Sequence, residues 1–151
     1  MAKPTQKDNT TLRLKVALRR SLLSELSDPP VVLETHGGWG HVYGQLYHRL
    51  PPGVVFEKDP DKAAALARQR PTWAVYEAEC ETAIAAGAVD DWPFTFIDLD
   101  PYGEPWPAMD ALFSRRDRDW PAALAIAVND GLRHKISVTG GWDVASLAGP
   151  I

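Results

Sequence analysis

Residues 31–56 open on Val31-Val32-Leu33-Glu34, pass through Thr35-His36-Gly37-Gly38-Trp39-Gly40, and return to Val54-Val55-Phe56 after a Pro51-Pro52-Gly53 break. A short apolar run such as Val31–Leu33 reads as a strand buried on both faces. The glycine-rich stretch 35–40 reads as a turn, and Val42 to Leu50 as a helix. Val54–Phe56 is a second short apolar strand. A strand, a tight turn, a helix and another strand make the unit from which parallel sheets are assembled.

The same alternation continues downstream. Asp59 caps a helix that has Pro60 at its first position and Ala63–Arg70 as its body. Trp73–Tyr76 reads as a third strand, and Glu81–Ala86 as a helix stopped by Gly87. Phe94–Ile97 is a fourth strand, Trp106–Arg116 a helix, and Leu124–Val128 a fifth strand. Upstream, Thr10 or Thr11 caps a helix reaching about Leu26. Its apolar face is Leu12, Val16, Leu22, Leu23 and Leu26, and Lys15, Arg19 and Arg20 read as a solvated basic side. Asp28-Pro29-Pro30 ends it. The expected architecture is α/β: one domain over residues 11–151, a mostly parallel sheet with helices on both faces, behind a flexible polar N-terminus at residues 1–10.

Bulk properties narrow the function classes. The chain has 151 residues, a formal net charge of −4 and one cysteine, Cys80. A single cysteine allows no disulfide within the chain, which fits a reducing cytoplasm. Met1-Ala2-Lys3-Pro4 has no apolar stretch behind it, and no apolar run approaches the roughly 20 residues that span a bilayer. Neither a secretory signal nor a membrane partner is expected. The mild negative charge argues against a surface that binds nucleic acid everywhere, and leaves room for a local basic patch.

In open parallel sheets, ligands bind beyond the carboxyl ends of the strands. Four strand ends therefore carry the chemistry. The first joins Glu34 to Gly37, Gly38 and Gly40. It has neither the Gly-Lys-Ser/Thr of a phosphate loop nor the dinucleotide glycine spacing, and Glu34 would repel a diphosphate. A carboxylate there suits a ligand that carries positive charge. Glu57 ends the second strand, where an acid accepts from ribose hydroxyls; a solvent-facing carboxylate is the alternative. Glu79 follows the third strand and either accepts from an adenine amino group or caps the helix ahead of Thr82. The fourth is Asp98-Leu99-Asp100-Pro101-Tyr102-Gly103. Its carboxylate and carbonyls can accept from an amino group and aim the nitrogen lone pair at a methyl donor. Pro101 stiffens the turn, and the Tyr102 ring can stack on a base.

The ordered series resembles the class I S-adenosylmethionine methyltransferases over about Val31 to Val128. The stretch from Phe96 to Phe113, with Asp98-Leu99-Asp100-Pro101-Tyr102-Gly103 at its head, resembles the tRNA guanosine 2-amino methyltransferases, which carry Asp-x-Asp-Pro-Phe/Tyr-Gly-Ser-Pro. Val138-Thr139 and Leu147-Ala148-Gly149 are similar to a later segment of that family. The resemblance implies a Rossmann-like three-layer αβα sandwich, S-adenosylmethionine as cofactor with S-adenosylhomocysteine as product, and an RNA substrate. By position, Glu34 and the Gly37-Gly38-Gly40 turn would hold the methionine part, Glu57 the ribose and Glu79 the adenine amino group, with His36, Lys58, Cys80 and Asp98 also counted to the cofactor site. Asp100, Pro101, Tyr102 and Gly103 would form the catalytic, amine-binding segment. Glu104 stands where the family has a small serine, and His36 and Trp39 are bulky for the first turn.

Class I folds have seven strands, and five are readable here. The last two are expected to be missing, with the open edge pairing with another copy or a partner chain and little activity on tRNA alone. Methyltransfer to DNA, protein or a small molecule, or a non-catalytic cofactor-binding remnant, are the alternatives. His36, His41, His48 and His134 show no metal-ligand spacing with Cys80, so no metal is expected. Cys80 has no evident base to make it a nucleophile. Trp73, Trp92, Trp106, Trp120 and Trp142 read as packing residues, and Arg115, Arg116 and Arg118 as a solvated helix end.

Overall fold

The structure is a computed structural model that describes residues 9–115 and 118–131. Its elements are α1 (Asn9–Ser24), β1 (Val32–Glu34), α2 (His41–Gln45), a 3-10 turn (Tyr47–Arg49), β2 (Val54–Glu57), α3 (Pro60–Gln69), β3 (Ala74–Glu77), α4 (Cys80–Ala85), β4 (Phe96–Leu99), α5 (Trp106–Phe113) and β5 (Ala125–Val128). The strands form one sheet in the order β3-β2-β1-β4-β5. Every pairing is parallel. The order reverses between β1 and β4, the kind of switch point at which α/β sheets hold ligands. No helix among the described residues is long and apolar enough to cross a membrane.

Strand side chains alternate between two cores. Leu33, Val54, Phe56, Ile97 and Leu99 pack with Ile84, Ala108 and Leu112 under α4 and α5. Val32, Val55 and Phe96 pack with Val42, Tyr47, Leu66 and Trp73, with Leu12, Leu22 and Leu23 of α1, and with Leu26 just beyond it. Both faces of the central strands are thus covered, which is why they carry near-continuous apolar runs. Together the two helical layers and the sheet between them make the three-layer α/β arrangement expected from the alternation.

Several boundaries move from their expected places, each for a local reason. The helix expected over Val42–Leu50 is instead α2 plus a 3-10 turn, because Leu46 leaves helical geometry at φ −135°. Gly44 gives that short helix little intrinsic support. β4 begins at Phe96 rather than Phe94, so Asp98 lies inside the strand and not just beyond it. α5 stops at Phe113, where Ser114 N donates to Asp110 O and its Oγ to Asp110 Oδ1. The end of α4 meets expectation: Gly87 has φ +89°, its N–H reaches Ile84 O, and Ala88 N reaches Ala83 O. That pair of bonds satisfies two otherwise orphaned carbonyls. The expectations for residues 1–8, Arg116, His134, Val138-Thr139, Trp142 and Leu147-Ala148-Gly149 lie outside the described residues.

Asp59 caps α3 as its sequence position implies, accepting from Asp61 N at 3.0 Å and Lys62 N at 3.1 Å through Oδ1. Asp59→Ala is expected to lower the unfolding free energy by about 1 kcal/mol, the usual size of a lost N-cap. Urea denaturation measures it, and an unchanged midpoint would show that α3 is held by packing alone.

Candidate functional site at the strand ends

The turn after β1 is tied to both neighbouring strands. Thr35 N donates to Asp98 O at 3.0 Å, and Gly37 N to Phe56 O at 2.9 Å. Gly38 and Gly40 take φ +54° and +76°, a region that disfavours side chains with a Cβ. This conformation turns Gly38 N–H onto Glu57 Oε2 at 2.8 Å, while Glu57 Oε1 accepts from Asp59 N at 2.9 Å. Glu57 is half-buried. Two backbone donors therefore fix its carboxylate, and about two of its roughly four lone-pair sites remain for a ligand.

Around this point lies a ring of acids. His36 feels the fields of Glu81, Asp100, Glu57 and Glu79, and burial nevertheless holds its pKa below the usual value. Burial thus favours the neutral ring. Lys58 reaches Glu79 at 3.2 Å, both well exposed, and the Glu79 side chain makes no cap bond to α4. Asp100 is gripped by Lys15 Nζ at 2.7 and 2.9 Å, with Arg19 Nη2 at 3.7 Å. Pro101 is buried, and Tyr102 is 87% exposed. Gly103 O accepts from Gly131 N at 2.8 Å.

The structure brings Glu57, Lys58, Glu79, His36, Cys80 and Asp100 around the strand ends. Glu34 and Asp98, expected to face a ligand, instead turn into the layer beneath α1–α3. They share the strand parity of Val32 and Phe96, which point there. Glu34 Oε2 meets Arg70 Nη1 at 2.6 Å, and that guanidinium lies over Tyr43 and Trp73 at 4.0 and 5.0 Å from their ring centroids. Burial pushes the Glu34 carboxyl up to about 7 against the lowering pull of Arg70. Asp98 accepts from Arg19 Nε at 2.7 Å, Arg19 Nη2 at 2.5 Å and the Tyr47 hydroxyl at 2.6 Å. Burial raises the Tyr47 pKa, so its hydroxyl keeps its proton and donates.

The basic side of α1, expected in solvent, is therefore divided. Lys15 and Arg19 turn inward onto Asp100 and Asp98, and Arg20 stays exposed. Nothing local in the sequence separates them, because their partners are 85 and 79 residues away. Arg118 is likewise engaged, donating to Val89 O at 2.9 Å and Trp92 O at 2.6 Å. Sequence spacing also missed a grouping of His36, Cys80 and Glu81, whose ligating atoms all lie within 4.8 Å of one another. No protein-family model matches this chain, and no curated protein matches it.

Proposed function

We propose that the crevice at the β1/β4 switch binds S-adenosylmethionine and that the chain transfers its methyl group to an exocyclic amine, guanosine in tRNA being the substrate the Phe96–Phe113 resemblance favours. The observation that carries the reading is Glu57. It stands at the end of β2, its carboxylate held by Gly38 and Asp59 N–H groups beside the glycine turn. A carboxylate so oriented, with lone pairs to spare, suits a pair of ribose hydroxyls. The surrounding acids suit a ligand bearing an ammonium and a sulfonium. Glu34 does not contribute its side chain, since Arg70 holds it. The N–H groups of Gly37, Gly38 and Gly40 are given to Phe56 O, Glu57 Oε2 and Gly37 O, so the methionine ammonium is left to the backbone carbonyls of the turn.

When bound, the cofactor supplies an electrophilic methyl group on sulfur. The chain's own work is alignment and the exclusion of water. Asp100 accepts a hydrogen bond from the target amine and leaves the nitrogen lone pair directed at the methyl carbon. Tyr102, exposed on the same lip, offers a stacking face for the base. To reach Asp100, the amine displaces Lys15 from at least one carboxylate oxygen. That contact favours a second reading: a cofactor-binding module whose acceptor side is covered by α1. Transfer of a labelled methyl group to unmodified tRNA separates the two.

Glu57→Ala is expected to weaken cofactor binding by about 1.5–3 kcal/mol, the scale of a charge-assisted hydrogen bond. Calorimetry with S-adenosylhomocysteine reads the change. Full-strength binding by the variant would refute the ribose assignment.

A further inference from the structure

Beside the glycine turn, three residues of different ligand chemistry converge from two strand ends. Cys80 Sγ lies 3.7 Å from His36 Nε2 and 3.1 Å from Glu81 Oε2. A tetrahedral zinc ion, with bonds of about 2.3 Å to sulfur and about 2.0–2.2 Å to nitrogen or oxygen, sets its ligand atoms roughly 3.3–3.7 Å apart. The two measured edges bracket that spacing, and the third ligand pair also falls within 4.8 Å.

The ring of His36 is oriented for the task by Thr35. Thr35 Oγ1 donates its one proton to Asp98 O at 3.1 Å, so toward His36 Nδ1, at 2.8 Å, it acts as acceptor. Nδ1 then carries the hydrogen, and the Nε2 lone pair points at Cys80. An outer partner that fixes the tautomer of a histidine is the arrangement metal sites use. Thr35 is 1% exposed and Cys80 2%, while His36 is partly exposed.

We propose that His36, Cys80 and Glu81 form a zinc-binding site, with Thr35 as its positioning residue and the fourth coordination position open to the crevice. On binding, the Cys80 S–H bond breaks, the sulfur pair forms the S–Zn bond, and the proton leaves to solvent. Imidazole and thiolate select zinc over magnesium or calcium, which prefer oxygen. The site stands on its own geometry and does not depend on the methyltransferase reading.

The probe is Co²⁺, titrated into the full chain after treatment with a chelator. Cys80 is the chain's one cysteine, so a thiolate-to-cobalt charge-transfer band belongs to it alone. The expected result is a band that saturates at one ion per chain, is abolished by Zn²⁺ and survives excess Mg²⁺. His36→Gln is expected to weaken cobalt binding more than tenfold, and Thr35→Val by about 10–100-fold. On the unaltered chain, Zn²⁺ is expected to slow alkylation of Cys80 at least tenfold, a reading that needs no variant. Absence of the band, an alkylation rate indifferent to Zn²⁺, or unchanged cobalt affinity in a folded His36→Gln chain would each overturn the proposal. Calorimetry of the metal-free chain with S-adenosylhomocysteine runs alongside. A cobalt band without cofactor heat supports zinc and removes the cofactor reading, and heat without a band does the reverse.

Discussion

Arg19→Met is expected to lower the unfolding free energy by about 3–5 kcal/mol, the cost of breaking a buried ion pair on one side only. Arg19 is 0% and Asp98 1% exposed, and two guanidinium nitrogens meet the two carboxylate oxygens. Arg19 Nη2 also reaches Asn129 Oδ1 at 3.1 Å, so one side chain joins α1 to β4 and to the residue after β5. Methionine keeps much of the side chain's volume and leaves the Asp98 charge buried with the Tyr47 hydroxyl as its remaining side-chain donor among the described residues. The double replacement Arg19→Met/Asp98→Asn removes that stranded charge and is expected to recover part of the loss. Urea denaturation of the three chains measures the pattern. A loss under about 1 kcal/mol for the single variant would show that α1 does not rely on this pair.

Asp100→Ala is expected to reduce methyl transfer by about 10²–10⁴-fold, the range for removing a group that handles the reacting proton and nitrogen. Affinity for S-adenosylhomocysteine is expected to stay within about threefold of the unaltered chain, because the role proposed for Asp100 lies on the acceptor side. Its bonds to Lys15 are only partly buried, with side-chain exposures of 27% and 16%, so the fold depends on them far less than on Arg19 and Asp98. Single-turnover transfer and calorimetry on the same preparation separate the two effects. Normal turnover would remove Asp100 from catalysis, and an equal loss of cofactor affinity would move it into the cofactor site.

The sheet was legible because its strands are short apolar runs set between strong stop signals. Asp59-Pro60 starts α3 and Gly87 ends α4 for reasons that are local, so sequence alone placed both. The strand order and the switch point arise from pairing between distant segments and are not readable along the chain. The acids show the same division. Glu57 was placed at a strand end and found there, next to the glycine turn. Glu34 and Asp98 sit at strand ends too, yet their side chains turn into the α1–α3 layer. Where both faces of a strand are buried, neighbouring residues are all apolar, and no alternation marks which way an acid points.

Their partners were hidden for a related reason. Arg19 and Lys15 lie on an amphipathic helix whose basic side resembles any solvated face. Only the tertiary fold lowers that helix onto the sheet and sets Arg19 against Asp98. His36, Cys80 and Glu81 come together across 44 residues of chain, beyond any spacing rule for metal ligands. In the sequence Arg70 is only the last residue of a helix body, and its place against Glu34 depends on the packing of Tyr43 and Trp73 around it.

The central claim is that the crevice between the glycine turn and Glu57 takes S-adenosylmethionine. Calorimetric titration of the chelator-treated chain with S-adenosylmethionine and with S-adenosylhomocysteine tests it most directly. The account requires saturable binding of both ligands at one site per chain, with adenosine alone binding more weakly. No binding at about millimolar ligand, a free energy weaker than about −4 kcal/mol, would contradict it.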